Sequence, residues 1–189
     1  MFENTNGEIM NESDARFLEE LKKLYASAFD LTEEAASGEW MFRIYGHFNA
    51  DHSGYVLSKK AKLWEANCQE HLFVLTETEE TPFDQETLLR LDRWLREIAE
   101  PMYVRNGQPL PPPNHMYTYL TMVLVTHREI DAATARFVKK YHFDKAYRFQ
   151  LRGYMQTRMA IVSTKERTLV VNQQGKSLID TYHRLLRHF

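Results

Sequence analysis

Phe42-Arg-Ile44-Tyr-Gly46-His-Phe48 is the stretch on which the fold turns, because Phe149-Gln-Leu151-Arg-Gly153-Tyr-Met155 repeats its pattern later in the chain. In both, apolar residues alternate around a glycine, the period-2 signature of a strand with one buried face. A glycine inside such a pattern marks a bulge or the close approach of another backbone. The match extends outward: Tyr55-Val-Leu-Ser58-Lys-Lys60 corresponds to Ala160-Ile-Val-Ser163-Thr-Lys165, and Asn67-Cys-Gln69 to Asn172-Gln-Gln174. Each copy predicts a three-stranded meander, over 40–50, 54–59 and 62–67 in the first and 146–155, 158–163 and 167–172 in the second. Asp51–Gly54 and Lys59–Lys62 read as the turns of the first, and Leu72–Thr76 as a fourth short strand.

Helical spacing surrounds these segments. Phe17, Leu18, Leu21, Leu24, Tyr25 and Phe29 predict an amphipathic helix over 14–29, with Ser13 as its N-cap. Thr32-Glu-Glu reads as one further turn before Gly38. Leu88, Leu91, Leu95, Ile98 and Met102 form the stripe of a helix over 84–104, with two more helices expected over 127–141 and from Ser177. Met116–Val125 lacks a polar face, which suits a strand covered on both sides. Pro111–Pro113 favours an extended connector. The expected fold is α+β: two degenerate αβββα halves, 13–104 and 116–189, with mainly antiparallel sheet and a buried strand near 116–125. A flexible acidic tail (1–12) and a Pro-rich connector (105–115) complete it, the whole forming one globular unit.

Bulk properties exclude several classes. No apolar run reaches the roughly 18–20 residues of a membrane span, and Met1–Met10 lacks a secretory signal. A single cysteine, Cys68, excludes an internal disulfide and the common zinc frameworks. Flanked by Glu65 and Glu70, it reads as an inert thiol at a strand end. A cytoplasmic location is expected. Charge is uneven: residues 1–39 carry ten acids against three bases, and residues 139–189 carry eleven bases against three acids. Such asymmetry marks an anion-binding half, or an acidic helix packed near a basic one.

Motif chemistry is sparse. The histidines show no spacing that would place metal ligands on one helix face, so no metal is expected. Neither a Gly-x-Ser-x-Gly elbow nor a glycine-rich phosphate loop occurs, so no catalytic residue and no cofactor is assigned. The candidate ligand- or anion-binding set is Arg43, Tyr45 and His47, which share one strand face, with Arg152 and Tyr154 from the second copy. Lys59, Lys60 and Lys62, matched by Lys165 and Arg167, form basic loops that could straddle a phosphate backbone. They also serve to keep antiparallel edges soluble.

The order helix, meander, helix, strand is similar to the core of the restriction-endonuclease-like nucleases. That resemblance implies a carboxylate on one central strand and an acid and lysine two apart on the next, holding Mg²⁺. Lys59–Asn67 contains no Glu-x-Lys pair, and no acid lies between Phe149 and Lys165. The likeness is one of topology, without the residues of the activity. The leading expectation is a non-enzymatic protein that binds a macromolecule, a second copy of itself or a small anion through a sheet face, with no membrane partner. The alternatives are nucleic-acid or phosphate binding by the basic second half, and an enzyme built on His47, Arg43 and Tyr45.

Overall fold

The computed structural model describes residues 2–3, 9–55 and 62–187. Strands β1 (Phe2–Glu3) and β2 (Ile9–Met10) form a two-stranded ladder within the stretch expected to be a tail. Helix α1 (Glu12–Tyr25) follows, capped by the Asn11 side chain, which accepts from the Ser13 N–H at 3.0 Å; Ser13 is not the cap. The helix stops at Tyr25 rather than continuing to Phe29, and residues expected to form a further turn lie in strand β3 (Asp30–Ser37). Strands β4 (Trp40–Tyr55) and β5 (Lys62–Thr76) are two long partners in register from Ile44↔Val74 outward. The expected turn Asp51–Gly54 and the separate fourth strand Leu72–Thr76 are therefore continuous parts of these strands. The expected turn residues Lys59 and Lys60 fall outside the described residues.

Helix α2 (Gln85–Trp94) starts at Asp84, whose carboxylate accepts from the Thr87 N–H at 2.8 Å. It continues as a π-helical segment, Leu95–Val104, that contains Pro101. The wider turn changes the period, which explains why Met102, on the apolar stripe by α-helical counting, is 57% exposed. Ala99, Glu100 and Val104 face inward instead. Strand β6 (His115–Thr126) is the buried strand expected from Met116–Val125 and sits inside the sheet. Helix α3 (Ala132–Lys140) begins five residues after His127, capped by Asp131 through the N–H groups of Ala133 and Thr134. Strand β7 (Asp144–Ala146), strand β8 (Tyr154–Ser163), strand β9 (Thr168–Val171), a 3-10 turn (Gln174–Leu178) and helix α4 (Ile179–Arg187) complete the chain.

The seven-stranded sheet runs β3-β4-β5-β6-β8-β7, with β9 beside β7 on the free edge of β8. It is an α+β fold with a mixed, largely antiparallel sheet. The β5–β6 and β6–β8 pairings are parallel and the rest antiparallel. One apolar core joins α2, the π-helical segment and α3 to the sheet through Phe42, Phe73, Leu91, Trp94, Leu124 and Met159. The other joins α1 and α4 to the opposite face through Phe17, Leu21, Leu72, Val123, Val162 and Tyr182. In chain order the first part of the molecule is α1, β3–β4–β5, α2 and its π-helical continuation, then β6, which lies parallel to β5.

Two matched halves are not what the chain forms. Gly46 sits inside β4 opposite Leu72, whereas Gly153 lies in a turn at φ +72°. A Cβ on Gly153 would come within 2.3 Å of the Met116 carbonyl oxygen, so backbone, not side chain, fills that space. Phe149 and Leu151, expected on the buried face of a strand, are 99% and 82% exposed. The second stretch is a loop because Arg148, Phe149 and Gln150 all adopt left-handed φ, which breaks strand geometry. The two segments assigned to 158–163 and to the end of 146–155 are one strand, β8.

Asn172 ties the second half of the sheet together. Fully buried, it accepts from the N–H groups of Met159 and Gly175, each at 2.9 Å, and donates to the carbonyls of Thr157 (2.8 Å) and Tyr141 (3.2 Å). Asn172→Ala removes these four side-chain hydrogen bonds from the dry interior, leaving Gly175 N–H only the backbone carbonyl of residue 172 at 3.2 Å. Urea unfolding should show a loss of about 3–5 kcal/mol, against a change within about 0.5 kcal/mol for the exposed Gln173→Ala.

Candidate functional site

Parallel strands end side by side, and in α/β sheets that edge is where ligands bind. Here β5, β6 and β8 all terminate in polar residues: Thr76-Glu77, Thr126-His127-Arg128 and Ser163-Thr164. The ends of β5 and β6 open onto a cleft of about 500 Å³ that also receives Met10 from β2, Asn11 and Asp14 from the start of α1 and Arg43 from β4, with Thr164 at the end of β8 behind it in contact with Asp14 and His127. The Thr164 hydroxyl is 2.5 Å from an Asp14 carboxylate oxygen and 3.3 Å from His127 Nδ1. Glu77 accepts from the Phe83 N–H at 3.1 Å, binds the Thr126 hydroxyl, and pairs with Arg128 at 3.6 Å. Arg43 is 8% exposed and pairs with Glu34 at 3.1 Å, while its Nε donates to the Thr76 hydroxyl at 3.0 Å.

The chain carboxylate–hydroxyl–imidazole differs from a nucleophile triad in one respect that decides its chemistry. A triad places the imidazole between hydroxyl and carboxylate. Here the hydroxyl is in the middle and Thr164 is 4% exposed, so it holds two groups in place and cannot attack a substrate. Asp14 is the titrating member. Burial raises its carboxyl above the ordinary range, and Glu77 adds to the rise, while the Thr164 hydrogen bond and His127 oppose it.

The set expected to grip an anion is taken apart by the fold. Arg43 belongs to this cleft, whereas Tyr45 and His47 lie on the opposite face, under the π-helical segment. The Tyr45 hydroxyl and His71 Nδ1 are 2.9 Å apart, and the rings of His47 and His71 stack at 4.6 Å with 7° between planes. Tyr103 covers the group, with ring centroids 5.6 Å from Tyr45 and 5.2 Å from His71. An enzyme site of Arg43, Tyr45 and His47 is therefore not formed.

Arg152 and Tyr154 stand at the other end of the sheet, before and at the start of β8. The Arg152 carbonyl accepts from His115 Nδ1 at 2.9 Å. Tyr154 stacks on Tyr117, whose ring lies tilted 4.8 Å from that of Tyr119, over which the Arg158 guanidinium sits at 3.6 Å while pairing with Glu70 at 3.1 Å. Burial, first, and the neighbouring Tyr119 push the Tyr154 hydroxyl up to about 12.

Of the basic loop residues, Lys59 and Lys60 lie outside the described residues. Lys62 opens β5, and Lys165 and Arg167 follow the end of β8; because both strands run parallel to β6, Lys62 lies at the opposite end of the sheet from Lys165 and Arg167. Cys68 lies buried within β5, its Sγ 3.7 Å from Met116 Sδ, not at a strand end.

The cleft residues Asp14, Glu77, His127 and Arg128, and Thr164 behind them, were not singled out by motif. Their signal is positional: each apolar strand run ends abruptly in two or three polar residues, which becomes meaningful once the strands are known to be parallel. Among the described residues, no group of three or more His, Cys, Asp or Glu side chains is arranged to hold a metal ion.

Two buried groups should contribute to the pH dependence of stability in opposite directions, with His115, lowered by burial, acting in the same sense as His71. Burial, first, and the neighbouring His47 lower His71 to about 3, so its unfolded form takes up a proton near pH 6.5 that the folded form refuses. Stability therefore falls as pH drops below about 6.5, by up to about 1.4 kcal/mol per pH unit, until the folded pKa is reached. His71→Gln should flatten that slope in urea titrations at successive pH values. Asp14 has the opposite sign: its raised pKa gives stability that is present below the ordinary carboxyl range and is lost as pH rises through the folded value. Asp14→Asn should remove this loss, so the variant gains on the wild type as pH rises above the ordinary carboxyl range.

No curated protein and no solved structure matches this chain. The family described as Domain of unknown function (DUF8052) matches residues 13–184, from the first turn of α1 into α4, and the chain belongs to that family.

Proposed function

We propose that the protein binds a small molecule bearing an ammonium or guanidinium group in the cleft at the carboxyl ends of β5 and β6. The observation that carries this reading is the charge balance of the lining. Asp14, Glu77, Glu79 and Glu80 face two permanent cations, Arg43 and Arg128, and both arginines already pair with carboxylates of the protein. Glu79 and Glu80 are exposed at the rim, where an incoming cation meets them first. A cleft of this size suits a small ligand rather than a polymer. A small anion, the ligand that Arg43 suggests by itself, would enter against an excess of acid. Binding rather than turnover is the reading, because the buried hydroxyl is locked between Asp14 and His127.

Thermal denaturation with two probe sets tests it. Agmatine, arginine and spermidine at millimolar concentration should raise Tm by about 5 °C near saturation, whereas phosphate and sulfate should leave it unchanged. The double variant Glu79→Gln with Glu80→Gln, at exposed positions, should lose most of the amine effect without a lower starting Tm. A shift produced by the anions, or none produced by any amine, rejects the proposal.

A further inference from the structure

The loop between β7 and β8 displays apolar side chains on a backbone that is held under strain. Arg148, Phe149 and Gln150 have φ of 48°, 53° and 70°, a left-handed run rare outside glycine. The loop is nonetheless closed by its own hydrogen bonds: Tyr147 N–H to the Gly153 carbonyl at 3.0 Å, Arg152 N–H to the Tyr147 carbonyl at 3.1 Å, and Leu151 N–H to the Arg148 carbonyl at 3.0 Å. Its base is fixed to the body. The buried Tyr147 hydroxyl donates to Glu100 at 2.5 Å, and Gly153 lies flush against the His115 and Met116 carbonyls. The outcome is a firm projection with Phe149 99% and Leu151 82% exposed at its tip.

We infer that this tip inserts into the interfacial region of an anionic lipid bilayer. Its charge is complementary to such a surface: Arg148 and Arg152 flank the apolar pair, and no acidic residue occurs from Lys145 to Lys165. Its shape is a projection, which needs no matching pocket in the other body. Its size is small, since two apolar side chains fall well short of the roughly 800 Å² per partner of a stable protein interface. Among the described residues no helix is long and apolar enough to cross a membrane, so the contact is peripheral.

Co-sedimentation of the full chain with vesicles tests the inference. It should pellet with phosphatidylglycerol-containing vesicles and remain in solution with pure phosphatidylcholine. The double variant Phe149→Ser with Leu151→Ser should reduce binding about tenfold, and Arg148→Glu should reduce it and weaken its salt sensitivity. Because these side chains project into water, far-UV circular dichroism and Tm should not change. Failure to pellet with either vesicle overturns the inference, as does binding that the serine variant leaves intact, which would reflect general basic charge. Sedimentation velocity showing a lipid-free dimer abolished by the serine variant would also overturn it, by assigning the tip to a second copy of the chain.

Discussion

Parallel pairing of β5 with β6 and of β6 with β8 is the constraint from which the rest of the molecule follows. Parallel neighbours cannot be joined by a tight turn, so the chain must return along the sheet, and both returns pass through helices on the same face. That places α2, the π-helical segment and α3 in one layer and leaves the other face to α1 and α4. It also aligns three strand ends at one edge, which is why a polar cleft forms where no motif announced it. Antiparallel partners then extend the sheet on both sides, through β4 and β3 at one edge and β7 and β9 at the other.

Long-period features were readable from residue order because they depend on local spacing. The stripe Leu88, Leu91, Leu95 and the apolar run Met116–Val125 demand a helix and a covered strand whatever surrounds them. Errors arose where a residue type has two meanings. Gly46 and Gly153 were both read as strand glycines at a close approach: Gly46 is one, with Leu31, Phe29 and Leu72 packed closely over it, whereas Gly153 sits in a turn. Phe149 and Leu151 alternate as a strand does, yet the alternation counts for nothing once the backbone turns left-handed at three successive positions. The apparent duplication rested on that second alternation.

The candidate site was legible only in fragments. Arg43 was read as one of three polar residues on a single strand face, a grouping with Tyr45 and His47 that assumed an undistorted strand. Glu34, directly across the ladder at a left-handed φ of 50°, draws the guanidinium to itself and toward Thr76. Tyr45 and His47 remain on the other face, in an aromatic stack with His71. Asp14 and Thr164 lie at sequence positions 150 apart, and only the tertiary fold brings them within hydrogen-bond reach.

The π-helical segment has a bearing on the far end of the molecule. A wider turn rotates every later side chain around the helix axis, as slipping one tooth resets the phase of two meshed gears. By that rotation Glu100 points into the protein, where burial alone would lift its pKa but hydrogen bonds from Arg105, Tyr147 and Lys145 hold it below the usual carboxylate range. Glu100 is therefore a fixed negative anchor for the root of the β7–β8 projection. The phase of one helix thus sets the aim of a loop that is distant from it in sequence.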